Sequence, residues 1–268
     1  MKNQEKTKPL SRLSLSAIFT VLVSAIVLIT SIVTVLMFIG VYRYEVEQNA
    51  VTSSEQAVSQ VESMVQSYIY DMETVMDTIV DALEGQDQDY DRFLQSLVEI
   101  REDVSAVMIY DEDGQILELW SNGQTLKDPF YQNLSYTELP NDSLHVSNPH
   151  VETLFEGYYP WVVTISQNLT DHSGSLYQVA VDIRFSSISN YVDNVGIGPH
   201  GYCYIEDTSG NIIYHPQQQL IYSGLKEEEK SRDKDGVQME ATAIHTVRTL
   251  EDSDWRIVGV CYVDEMIT

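Results

Sequence analysis

The chain has 268 residues, enough for one or two ordinary domains, and sets 15 basic against 41 acidic residues for a formal net charge of −26. So acidic a surface repels phosphate backbones, which excludes nucleic acid as a partner. Two cysteines, Cys203 and Cys261, are too few for a disulfide-built scaffold; both sit in strand-like runs and read as buried free thiols, with a bridge as the alternative.

The first element is apolar. Leu13 to Tyr42 runs without a charge. A bilayer core of about 30 Å needs about 20 apolar residues in a helix, so this segment spans with some tilt. The apolar region of a cleaved signal peptide is shorter, roughly 7–15 residues, so the segment reads as an uncleaved anchor. Lys2, Lys6, Lys8 and Arg12 precede it against one acid, Glu5, while Arg43 is followed closely by Glu45 and Glu47. Basic flanks stay inside, so residues 1–12 are expected to be a cytoplasmic tail, 13–42 a transmembrane helix in the cell membrane, and everything beyond extracytoplasmic. Removing the tail's four basic residues and one acid from the totals leaves 11 and 40, a net charge of −29 on the exported part.

Residues 43–84 contain no Gly or Pro and carry Val58, Val61, Val65, Tyr68, Met72, Val75, Ile79 and Ala82 in alternating steps of three and four. The pattern predicts a stalk helix about 60 Å long. Its single apolar stripe packs either on the rest of the chain or on the same helix of a second copy. Gly85 ends it, and Tyr90–Arg101 reads as a short helix.

Strand patterns then take over. Val104–Tyr110 and Gln115–Trp120 flank the turn Asp111-Glu112-Asp113-Gly114. Residues 121–157 are loop-rich. Trp161–Asn168 and Ser175–Arg184 follow as longer strands, then a helix near Ser186–Asn194 and the glycine-rich junction Gly196–Pro199. Past it, Tyr202–Glu206 and Asn211–His215 flank Asp207-Thr208-Ser209-Gly210, residues 217–235 read as helix or loop, and Val237–Leu250 with Trp255–Val263 read as a closing hairpin. Asp111-x-x-Gly114-x-Ile116-Leu117 repeats as Asp207-x-x-Gly210-x-Ile212-Ile213 at a spacing of 96 residues. The whole predicts an α+β chain in which two antiparallel-sheet domains, 85–195 and 196–268, lie along one long helix.

This layout, with Val179-Ala180-Val181-Asp182-Ile183, Gly201-Tyr202-Cys203-Tyr204-Ile205-Glu206-Asp207, Ile213-Tyr214-His215-Pro216 and the closing Trp255–Val260, resembles the double Cache (dCache) family of bacterial extracytoplasmic sensors over residues 43–268. The run Ser147–Phe155 with Tyr159-Pro160-Trp161-Val162-Val163 is similar to the sensor region of YesM-like histidine kinases. The resemblance implies two PAS-like domains, the membrane-distal one (85–195) binding a small molecule and the membrane-proximal one (196–268) nearer the bilayer. It also implies a second span leading to a cytoplasmic kinase, methyl-accepting or cyclase module. The chain stops at Met266-Ile267-Thr268, where the helix toward that span is expected, so it reads as a fragment of a longer receptor, most simply a two-component histidine kinase, with a chemoreceptor or diguanylate cyclase as the alternative.

The family's amino-acid pocket uses an Arg-x-Trp-Tyr run, a Tyr-x-Asp run and a later Asp. Here the runs are Asp128-Pro129-Phe130-Tyr131 and His150-Val151-Glu152, and the later acid is Asp182. Asp128 replaces the Arg that would grip a carboxylate, so a cationic, amine or neutral sugar-like ligand suits the site better. The expected ligand-binding residues are Phe130, Tyr131, His150, Glu152, Trp161 and Asp182. Asp182 stands out by charge, since an acid inside an apolar strand needs a partner.

Other chemistries lack their motifs. There is no Gly-rich phosphate loop, no H-E-x-x-H and no Cys/His cluster at zinc spacing, so no metal or cofactor is expected, and nothing predicts a catalytic residue. A membrane-anchored exported hydrolase would need a nucleophile and base brought together by the fold. The expected partners are a small-molecule ligand, the membrane and a second copy of the chain joined through the stalk helix.

Overall fold

The computed structural model describes residues 15–85, 89–127, 136–139, 142–170, 174–228, 234–240, 242–251 and 253–262. Helix α1 runs unbroken from Leu15 to Glu84. The chain divides into two units just after Asn49. In the N-terminal unit the most apolar window has a mean hydropathy of 2.8 and none of it is buried. It is the one helix, among the described residues, long and apolar enough to cross a membrane.

In the second unit, α1 buries Ala50, Ser54, Ala57, Val58, Val61, Val65, Ile69, Met72, Met76 and Ile79. Val58, Val61, Val65, Met72 and Ile79 of the predicted stripe are thus covered, and Tyr68 and Val75 pack against the same core. They are covered by this chain's own sheets. That settles the alternative left by the periodicity, and any helix-to-helix seam between copies must use another face.

The first sheet follows α2 (Tyr90–Ile100). It holds β1 (Val104–Asp111), β2 (Ile116–Ser121), β3 (His145–Val146), β4 (His150–Val151), β5 (Trp161–Thr170) and β6 (Leu176–Arg184). All pairings are antiparallel, in the order β2-β1-β6-β5-β3, with β4 also on β5. Strands β1, β5 and β6 are buried on both faces, which is why they read as nearly continuous apolar runs. On the back face Val107, Ile109, Ile165, Leu169, Val179, Val181 and Ile183 meet Met72, Met76 and Ile79 of α1 and Leu94 and Val98 of α2. Each such fully buried side chain contributes roughly 1.5–3 kcal/mol.

After α3 (Ser186–Asp193) comes the second sheet: β7 (Gly196–Ile197), β8 (Gly201–Asp207), β9 (Ile212–Tyr214), then α4 (Gln218–Tyr222), β10 (Gly236–Met239), β11 (Ala243–Thr249) and β12 (Trp255–Tyr262). Its order is β10-β11-β12-β8-β7, with β9 on β8. Here α1 comes unusually near. The Ser54 and Thr246 hydroxyls share a buried hydrogen bond of 2.7 Å, and a Cβ on Gly259 would collide with the Val58 methyl and the Ile197 tip.

The sequence repeat is a structural one. Asp111 Oδ1 accepts the backbone N–H of Asp113 (3.0 Å) and Gln115 (2.7 Å), and Asp207 Oδ1 accepts those of Ser209 (2.9 Å) and Asn211 (2.8 Å). Gly114 and Gly210 both adopt positive φ, 76° and 83°. Two expectations change. Val237–Leu250 is two antiparallel strands, β10 and β11, because the chain reverses where the Glu240 N–H meets the Ala243 carbonyl. The loop-rich stretch 121–157 contains β3 and β4, too short to show a period of two.

Candidate functional site

Side chains alternate across a strand, so the front face of the first sheet carries every second residue. The register sets Asp182 between Ala106 and Thr164, Ala180 between Met108 and Ser166, and Gln178 between Tyr110 and Asn168. The back face is aliphatic; this one mixes small and polar groups, with Thr164, Ser166, Asn168, Gln178 and Asp182 all buried. Leu154 and Phe155 pack over its apolar part. Gln178 Nε2 donates to the Thr137 carbonyl (2.7 Å) and to Asn168 Oδ1 (3.1 Å), tying the face to the connection above it.

Beside that face, β4 is a two-residue edge on β5, with His150 opposite Val162. The chain leaves β4 through Glu152, whose N–H donates to the Pro160 carbonyl (2.9 Å). Glu152 is fully buried, and its Oε1 accepts the N–H groups of Thr153 (2.6 Å) and Leu154 (2.8 Å). His150 Nδ1 lies 3.2 Å from the Asn148 carbonyl. A carbonyl only accepts, so Nδ1 carries a proton, and Nε2 is the ring atom that faces Thr164. Thr164 Oγ1 donates to Asp182 Oδ1 at 2.6 Å and sits 3.4 Å from that Nε2. One ligand atom from each of His150, Glu152 and Asp182 falls within 4.8 Å of the others. Three Lewis bases therefore converge on one point at the rim of a buried face, an arrangement that suits a cation or a donor-rich group.

The fold thus brings together three of the six residues expected from sequence. Trp161, half-buried at the start of β5, instead joins an aromatic ladder: its ring meets Phe185 edge-on at 5.7 Å, and Phe185 meets Tyr214 at 5.4 Å. Phe130 and Tyr131 lie outside the described residues. Sequence reasoning missed Thr164 and Asn148. Thr164 and Ser166 alternate with Val163 and Ile165 in β5, and that alternation was a usable signal. Asn148 had none, since its role is relational: its carbonyl holds His150 and its Oδ1 accepts from the Trp255 indole at 3.3 Å.

The equivalent face of the second sheet is filled. The offset of 96 places Tyr202 at Ala106 and Tyr204 at Met108, and the β8–β12 register sets Val260 and Val258 opposite them. The Tyr202 hydroxyl donates to Glu228 Oε1 at 2.6 Å. His215 Nδ1 accepts the Gln217 N–H (2.9 Å), so its protonated Nε2 donates to that same carboxylate oxygen at 2.9 Å. Lys226 Nζ is 3.2 Å from it and 4.0 Å from the Tyr202 ring centroid. Burial alone would raise the Glu228 carboxyl, but the hydrogen bonds from His215 and Tyr202 and the Lys226 charge together hold it below the usual carboxylate range. Nearby, Cys203 and Cys261 are buried and not in a disulfide, and burial pushes the Cys203 thiol up to about 12, so it stays an inert core group.

The family model described as Cache domain, of the dCache type, matches residues 43–268. The chain belongs to the dCache family. The fold is shared with solved ligand-binding domains of chemoreceptors. One is that of Pseudomonas fluorescens CtaA in complex with L-leucine (12% identity, covering 84% of this chain and 100% of that one, TM-score 0.63). Others are that of Pseudomonas aeruginosa PctB in complex with L-Arg (15%, 81% and 97%, 0.61) and that of PctC in complex with GABA (15%, 77% and 96%, 0.56). No curated protein matches the chain in sequence. As a dCache chain it is a sensor region of a signal-transduction receptor, with no catalytic family indicated.

Proposed function

We propose that this chain is the extracytoplasmic sensing region of a transmembrane two-component histidine kinase. Its N-terminus is cytoplasmic, its membrane-distal sensor domain spans 85–195, and its membrane-proximal domain spans 196–268. The distal domain takes a cationic or neutral small molecule in preference to a carboxylate, on a surface to which Phe130, Tyr131, His150, Glu152, Trp161 and Asp182 contribute. One observation carries this reading: two buried carboxylates and an imidazole face one point beside a polar sheet face. An anion placed there would meet two like charges.

The output runs through α1. The helix is continuous from the apolar segment to Glu84, and both sheets pack on it. A ligand that favours one arrangement of the distal loops shifts a population that includes the helix entering the bilayer. Two copies pair through the exposed side of the stalk. The test uses spin labels on the exposed α1 positions Ser59 and Ser67 of the full chain in nanodiscs. Ligand-dependent change in the inter-label distance is expected; distances unchanged at saturating ligand would overturn the mechanism.

A chemoreceptor is the second reading, favoured by the structural neighbours, which are chemoreceptor domains. Histidine phosphorylation of the receptor by ATP in isolated membranes supports the kinase, and ligand-dependent glutamate methylation supports the chemoreceptor.

A further inference from the structure

We propose that His150, Glu152 and Asp182 form a site for a divalent first-row transition-metal ion, with zinc as the working case, so that this sensor responds to the metal or to a ligand held on it. The inference rests on the distal front face being the sensing site, and it specifies the class of cation that the site takes.

Four observations point the same way. The first is the donor set. One imidazole nitrogen and two carboxylate oxygens form a set that suits zinc and its neighbours, whereas calcium and magnesium favour oxygen alone. Three protein ligands also leave a coordination position open for water or an organic ligand.

The second is the tautomer. A metal-binding histidine typically donates its other N–H to a carbonyl or carboxylate, which fixes the ring and aims the lone pair. His150 makes that second bond, with Nδ1 3.2 Å from the Asn148 carbonyl and Nε2 3.4 Å from the Thr164 hydroxyl that also holds Asp182.

The third is that the carboxylates are anchored as well. Glu152 is held through Oε1 by two backbone N–H groups, and Asp182 through Oδ1 by Thr164. Ligating carboxylates are commonly oriented in this way. Two ligand atoms on one zinc ion lie about 3–4 Å apart. The cluster already lies within 4.8 Å, so small rotations of three side chains close it on an ion.

The fourth is charge. With His150 neutral, the three residues carry a formal −2, and both carboxylates are fully buried. A divalent ion matches that formal charge, while a single ammonium matches half of it.

The experiment uses the full chain, free of any histidine tag, in nanodiscs. Zinc is titrated by calorimetry, bound metal is counted by elemental analysis, and Co2+ replaces zinc so that its visible absorption reports the ligand field. One zinc per chain is expected, with a rise in melting temperature. His150→Ala, a half-buried edge position that can change without loss of the core, is expected to weaken zinc at least about tenfold and to abolish the cobalt bands. Asp182→Asn, which keeps the side-chain shape, should do the same, with circular dichroism confirming that both variants fold.

Zinc binding that is unaffected by His150→Ala, or cobalt spectra of a fully aqueous ion, would overturn the site, as would calcium or magnesium binding more tightly than zinc. Amines that bind equally well with EDTA present and in His150→Ala would also overturn the metal site but leave the distal face as a sensor. If neither metals nor amines nor sugars bind, both readings fall.

Discussion

The two sheets are built on one plan and carry different front faces. Each has an Asp-x-x-Gly hairpin with the same carboxylate-capped turn, and each lays its back face on α1. They differ at matched front positions. Ala106 and Ala180 stand beside Asp182 and Thr164, whereas Tyr202, Tyr204, Val258 and Val260 occupy the matched places in the second sheet. The His215–Glu228–Lys226 network then closes over the tyrosines and satisfies its own charges. A duplicated scaffold thus carries a small and polar front face in one copy and an aromatic one in the other, both of them buried.

The largest expected effect tests the back faces. Gly259 has no room for a Cβ against Val58 and Ile197, while Val181, its counterpart in the first sheet, packs in the core against α1. Gly259→Val is expected to destabilise the fold by about 3 kcal/mol through overpacking, read by urea melts of the full chain. A neutral outcome would mean that α1 does not seat tightly on the second sheet.

Next, filling the first sheet should convert it toward the second. Ala180→Phe is expected to weaken any small-molecule ligand roughly 100-fold in calorimetry, equivalent to about 2.7 kcal/mol, with circular dichroism checking that the variant folds. Unchanged affinity would remove the front face from the sensing mechanism.

Acid should then act on both halves. Asp103 lies below its ordinary range: burial would raise it, but the Arg101 guanidinium and the Tyr68 hydroxyl outweigh that. Glu228 is lowered by its own donors. A carboxylate depressed in the folded state contributes stability that is complete above its unfolded pKa and lost as pH falls through the folded one. Melting temperature should therefore be flat near neutrality and fall below about pH 4.5, the onset set by the ordinary carboxylate range. Asp103→Asn and Glu228→Gln should each flatten the fall, and a profile identical to the parent's would remove these two groups as its source.

The smallest effect concerns Tyr204. Its hydroxyl is buried with no hydrogen-bond partner among the described residues. Tyr204→Phe should gain about 1 kcal/mol in thermal or urea melts, because an unsatisfied buried hydroxyl is removed. A loss of similar size would show that the hydroxyl has a partner in solution.

Much of the fold was legible because it rests on local periodicity. The charge-free run, the three-and-four stripe of α1, the strands flanking Asp111 and Asp207, and the spacing of 96 all follow from chain geometry. The strands β3 and β4 were not legible, being too short to alternate. Nor was the division of Val237–Leu250, which turns on one backbone hydrogen bond. At the site, Asp182 was conspicuous as an acid in an apolar strand, and His150 and Glu152 through the family pattern. Their meeting with Thr164, and the part of Asn148, arise from strand register.

The sequence by itself determined the apolar span, the stalk, the tandem of strand-rich halves and the acidic exterior, since each depends on composition or on a repeat within a few turns of chain. Only the tertiary structure decided that the stalk's stripe is consumed by its own sheets, that one front face is polar and the other aromatic, and that the imidazole and carboxylate of the β4 edge meet a carboxylate of β6. Those outcomes depend on which residues stand opposite across antiparallel pairs, and a one-residue slip in register would turn every one of those side chains to the other face.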